Sequence, residues 1–126
     1  MEEKMENKKL LNTYTFSINM TDALGEPLSG SFTVHRPTMG EIMRLGVAEA
    51  RDLGGMINVD LETSMLAHIV ATLEIVVDLS PTWWKPREIR DVEVLQAVYG
   101  KYLDYLREFQ RRAGEKPESS GSQSNS

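Results

Sequence analysis

Cysteine is absent from this chain of 126 residues. That removes disulfide frameworks, thiol nucleophiles and thiolate metal sites together. Histidine is nearly absent: His35 and His68 are the only two. Neither falls in an H-E-x-x-H pattern, and a zinc site needs three or four converging ligands. Long apolar runs are also missing. The longest extend only a few residues, far short of the roughly 20 needed to span a bilayer. Residues 1–11 alternate charge with Asn and have no apolar centre, so no signal peptide is read there. Excess positive charge is lacking too. The net charge is -5 and the pI about 5.0, which disfavours a nucleic-acid binder with its clustered Lys and Arg. No phosphate-loop Lys follows the stretch from Gly25 to Gly30, and no nucleophile-elbow glycines surround residues 62–64. No general acid–base constellation assembles from the remaining residues. The expectation is a non-enzymatic protein, soluble and cytosolic, with no cofactor, no metal, no nucleic-acid partner and no membrane span.

What is present is enough for one domain. Tyr14, Phe16, Ile18 and Met20 alternate with Thr13, Thr15, Ser17 and Asn19, the period-two signature of a strand with one buried face. A Gly- and Pro-bearing loop follows from Asp22 to Gly30. Phe32 and Val34 then resume the alternation, so residues 13–36 read as an antiparallel hairpin. A hairpin alone is marginal in water. Its apolar face must find helices or another subunit, and its open edge allows pairing with a second copy into a homo-oligomer.

Arg36-Pro37-Thr38 closes the strand. Thr38 and Glu41 have capping-box spacing, with Pro37 and Ile42 placed as a hydrophobic staple. A helix over about 39–53 follows, with Ile42, Met43, Val47 and Ala50 expected to face inward. Gly46 costs that helix roughly 1 kcal/mol relative to Ala. Close helix approach or simple tolerance accounts for it, and tolerance is the simpler reading. Gly54-Gly55 ends the helix. Asp60 caps a second helix over about 60–77, with Leu66, Ile69, Leu73 and Val76 as its stripe and Leu61 and Met65 beside it. Ser80-Pro81 interrupts, and Trp83-Trp84 occupies the connection. Asp91 is the expected cap of a third helix over about 91–113. Val92, Leu95, Tyr99, Tyr102, Leu106 and Phe109 recur along it at steps of three and four and so share one face. Arg111 and Arg112 suit its C-terminal end. Residues 114–126 carry no apolar residue besides Pro117 and read as a disordered tail, as residues 1–11 read as a fraying start.

The expected architecture is α+β: an N-terminal antiparallel β-hairpin and three α-helices in one domain over 12–113. Trp83, Trp84, Tyr99, Tyr102, Tyr105 and Phe109 are the candidate partner-binding residues, because rings give large contact area with few rotatable bonds. Tyr105 lies off the helical stripe and is the one among them expected to be exposed. Seven Met residues add adaptable apolar surface.

Phe32-Thr33-Val34-His35-Arg36-Pro37-Thr38, the helix opened by Glu41, the second apolar helix, and Pro81-Thr82-Trp83-Trp84 leading to Asp91-Val92-Glu93-Val94-Leu95 form a recognisable order. Together with the size, acidity and polar tail, this order over about residues 14–112 resembles the small tail assembly chaperones of long-tailed (siphovirus-like) bacteriophages and prophages. The resemblance implies a partner, the tape-measure protein, kept soluble while tail-tube subunits polymerise around it. It makes the tail-tube protein a second candidate partner. It also implies a place in the host bacterial cytoplasm and absence from the mature virion. The alternatives are a small virion adaptor, such as a neck, tail-terminator or tail-completion protein, and a general protein-interaction domain.

Overall fold

The computed structural model describes residues 12–54 and 60–114. The expectations for residues 1–11 and for the tail beyond 114 lie outside that range. The fold is α+β. Strands β1 (Thr13–Thr21) and β2 (Pro27–His35) form the hairpin, followed by helices α1 (Met39–Asp52) and α2 (Leu61–Val76). A short strand β3 (Val77–Leu79), a 3₁₀ turn over Pro86–Glu88 and helix α3 (Val92–Gly114) complete it.

The hairpin register runs from Thr13 opposite His35 to Thr21 opposite Pro27. Pairing of equal parity puts Tyr14, Phe16, Ile18 and Met20 on the same sheet face as Val34, Phe32, Gly30 and Leu28. The opposite face is hydroxyl-rich, and Thr15–Thr33 and Ser17–Ser31 bond across it at 2.9 and 3.2 Å. The turn is organised by Asp22, whose Oδ1 accepts the amides of Leu24 and Glu26, each at 2.9 Å. Gly25 follows at φ 86°, a left-handed conformation that glycine adopts without a Cβ clash. The tip is then fixed at long range, because the Ala23 amide donates to Asp91 Oδ2 at 2.9 Å, directly before α3.

The third strand was not expected; the second helix was read through to Val77. Ile75-Val76-Val77 is a continuous apolar run, which periodicity alone cannot assign to helix or strand. Val77 turns out extended, at φ -84° and ψ 114°, and β3 pairs antiparallel with β2 across a register shift between Thr33 and Val34. The sheet order is therefore β1-β2-β3.

The core lies between the apolar sheet face, α2 and α3. Phe32, Leu73, Val34, Val76, Val94 and Val98 are its fully buried side chains. Rings make a continuous path through it: Tyr105 stacks on Tyr14 at 5.3 Å, Tyr14 on Phe16 at 5.9 Å, and Phe16 on Phe32 at 5.4 Å. Phe32 then meets Trp84 and Trp83 edge-on at 5.1 and 5.9 Å. The Trp83 indole N–H donates to the Ser29 carbonyl at 3.0 Å.

One glycine is required by this packing. A Cβ on Gly30 would lie 2.6 Å from Pro81 Cγ, and a proline ring cannot swing aside. Gly46 has the opposite surroundings, with nothing within 4 Å of a Cβ placed there. Gly30→Ala is therefore expected to destabilise the fold by about 1–3 kcal/mol. Gly46→Ala should stabilise it by roughly 1 kcal/mol. Urea unfolding midpoints of the two variants, moving in opposite directions, check both.

Candidate functional site

Helix α1 begins as its sequence dictates. The Glu41 amide donates to Thr38 Oγ1 at 3.1 Å and Glu41 Oε1 accepts the Thr38 amide at 2.9 Å, forming the capping box. At its other end Gly54 takes φ 61°, and the Leu53 and Gly54 amides bond the carbonyls of Glu49 and Arg51.

The helix's orientation reverses the expectation. No residue of α1 is buried. Met39, Met43, Val47 and Ile42 are exposed by 73, 72, 59 and 42 %, and Ala50 is exposed with them. The apolar stripe expected inward thus points away from the domain. The reason lies on the other face, where Glu41, Glu49 and Asp52 recur at helical spacing and each meets a cation or an imidazole on the body of the fold. His35 of β2 places Nε2 3.0 Å from Glu41 and Nδ1 2.9 Å from Asp78 of β3. His68 of α2 places Nδ1 2.7 Å from Glu49. Arg87 grips Asp52 through two nitrogens, each at 3.0 Å, and Glu74 at 2.7 and 2.9 Å. These contacts set the rotation of α1, and they leave its greasy side in water.

Magnitudes show what this costs. Partly exposed ion pairs contribute about 0–1 kcal/mol each, whereas covering one Met, Ile or Val side chain contributes roughly 1.5–3 kcal/mol. The uncovered stripe is consequently a large reserve of association energy, and exposed apolar patches on a folded domain mark interaction sites. Leu61 and Met65, 75 and 54 % exposed, add apolar surface on α2. Beside α1, a groove of about 310 Å³ is lined by Glu49, Ser64, Met65, His68, Ile69 and Tyr99. A second of about 350 Å³ runs past Asp52, Leu66, Val70 and Arg87.

The six aromatic candidates have different places. Trp84, Tyr102 and Tyr105 are 8, 3 and 5 % exposed and belong to the core. Trp83, Tyr99 and Phe109 are half-buried. Phe109 carries the Arg36 guanidinium over its ring at 3.9 Å, and Tyr99 meets His68 edge-on at 6.2 Å. Tyr105, expected outside, is a correction. The buried face of α3 comprises Val94, Leu95, Val98, Tyr102 and Tyr105, rotated by about 60° from the expected stripe on a helix advancing roughly 100° per residue. Val94 and Val98 widen the apolar arc, and the stacking partner Tyr14 selects which part of it faces in. Burial pushes the Tyr102 phenol up to about 12 and raises those of Tyr99 and Tyr105. These phenols are neutral packing groups at physiological pH.

Chemically, the polar cluster offers little. Both ring nitrogens of His35 are engaged by carboxylates, so neither is free for a substrate proton. Among the described residues no group of three His, Asp or Glu side chains could hold a metal ion, and no helix is long and apolar enough to cross a membrane. Comparison with protein-family models, curated proteins and solved structures gives no match. The fold and the exposed helix face define an α+β domain with an uncovered apolar surface, and the chain's own chemistry carries the functional reading.

The attachment of α1 is pH-dependent. Burial of the His35 ring lowers its pKa, but the hydrogen bonds to Asp78 and Glu41 outweigh this and leave it above its usual 6.5. The Thr38 amide and His35 hold Glu41 below its usual 4.5. A raised imidazole stabilises fully below about pH 6.5 and loses its effect as pH rises through the folded value; a lowered carboxylate stabilises above about pH 4.5 and loses its effect as pH falls. Hydrogen-exchange protection of α1 amides, corrected for intrinsic rates, should therefore peak between those limits and fall on either side. Arg87→Ala should lower α1 protection further, by on the order of 1 kcal/mol, while β1–β2 amides change little.

Proposed function

We propose that this chain is a non-enzymatic tail assembly chaperone of a long-tailed bacteriophage, binding the tape-measure protein and keeping it soluble while the tail tube assembles. The observation that carries the reading is the outward apolar stripe of α1, Met39, Ile42, Met43 and Val47, on a helix tied to its domain by polar contacts at Glu41, Glu49 and Asp52. A tape measure is a long helical chain whose apolar stripes aggregate before they are enclosed. A chaperone for it needs uncovered apolar surface on a body that stays dispersed, and the net charge of -5 supplies the dispersing repulsion. The identity of the partner comes from the sequence resemblance, and the manner of binding comes from the helix face. The binding surface in this reading is α1; Trp84, Tyr102 and Tyr105 serve the fold.

Co-expression with the tape-measure polypeptide of the same genome tests it. The expected outcome is transfer of that polypeptide from pellet to supernatant, lost with Met43→Asp although the variant keeps its far-ultraviolet circular dichroism and melting temperature. Mass spectrometry of purified virions should find no copy of the chain. Stoichiometric recovery there would favour a structural adaptor instead.

A further inference from the structure

The outer face of α1 also carries information about what it binds. Its apolar residues Met39, Ile42, Met43, Val47 and Ala50 centre on Gly46, and glycine there is unexplained by the chain's own packing, since nothing lies within 4 Å of a Cβ at that position. A helix-interior glycine costs roughly 1 kcal/mol. An approaching backbone is what the missing side chain would admit, because small residues let helix axes come close. The rim of the face is charged unequally. Arg44, its side chain 70 % exposed, and the exposed Arg51 stand seven residues apart along one side. On the other side Glu49 is tied to His68. Arg44 approaches Glu41 at 4.0 Å yet keeps most of its side chain in water, so the exposed rim charge is basic on a chain whose net charge is -5.

That local reversal of sign discriminates between occupants. A second copy packed antiparallel through a two-fold axis would set Arg44 and Arg51 against the same arginines of its partner. The polar residues 115–126, with no apolar side chain besides Pro117, have nothing to cover the stripe with. We propose that the face takes an amphipathic helix of another polypeptide, crossing closest over Gly46 and bearing carboxylates along the edge that meets Arg44 and Arg51. This rests on the reading of the chain as a binder of apolar helices and adds the location and the charge of the partner's flank.

Two fluorescent peptides of about 20 residues, with one Leu/Ala stripe flanked by Glu in the first and by Lys in the second, test it by anisotropy titration at low salt. The overall negative charge of the chain favours the Lys peptide; the rim favours the Glu peptide. The expected result is preference for the Glu peptide by about tenfold or more, reversed by Arg44→Glu combined with Arg51→Glu. Met43→Asp should abolish binding of the Glu peptide. Gly46→Leu, apolar and a good helix former, should weaken it while leaving the fold intact, because only close backbone approach is obstructed. Preference for the Lys peptide, no discrimination, or unchanged binding by Met43→Asp would overturn the proposal. So would concentration-dependent dimerisation of the native chain that Met43→Asp removes, since the face would then belong to a second copy. Should the peptides behave as expected while co-expression leaves the tape measure insoluble, the face stands and the phage reading falls.

Discussion

Phe32 has rings on three sides and no exposed surface. Phe16 stacks on it within the sheet, and the two tryptophans meet it edge-on from the connection before α3. The rest of the architecture follows from this saturation. A three-stranded sheet has one apolar face here, and that face is covered by α2, α3 and the tryptophan connection. Helix α1 lies outside that covered core, and none of its side chains is buried. The helix is held instead by the contacts its carboxylates make with His35, His68 and Arg87, and its apolar side is turned out.

Helix α1 was legible as a helix from Thr38, Glu41 and Gly54, because capping chemistry is local and sits within a few residues of the ends it controls. Its direction was not legible. Hydrophobic periodicity locates a stripe on a cylinder but does not say which way the cylinder is turned. The usual assumption, stripe inward, fails when the opposite face has better partners. Two of those partners lie far along the chain: His68 is 19 residues from Glu49, and Arg87 is 35 from Asp52. No local window joins them. Tyr105 was misplaced for a related reason, since a wide apolar arc on α3 leaves its central line to be chosen by what it meets. Strand β3 was hidden because three residues are too few to show a period, and its neighbours read equally well as helix.

The aromatic pair that stands out most in the sequence serves mainly to close the fold. Trp84 fills the space over Phe32, and Trp83 bonds the backbone of β2 beside Gly30, where Pro81 presses against the strand. Less conspicuous residues, mostly methionine and branched aliphatics of α1, make up the available surface. Large rings in a small domain are used where burial contributes most, and a surface that must accommodate another chain is better served by flexible methionine.

Because no side chain on the outer side of α1 supports the interior, the two sets of residues answer to separate requirements. Changes at Met39, Ile42, Met43 or Val47 can retune what is recognised without loosening the framework, and changes around Phe32 can be purged for misfolding without reference to any ligand. Such a division lets a lineage follow a drifting partner through single substitutions, each tolerated by the scaffold as it arises.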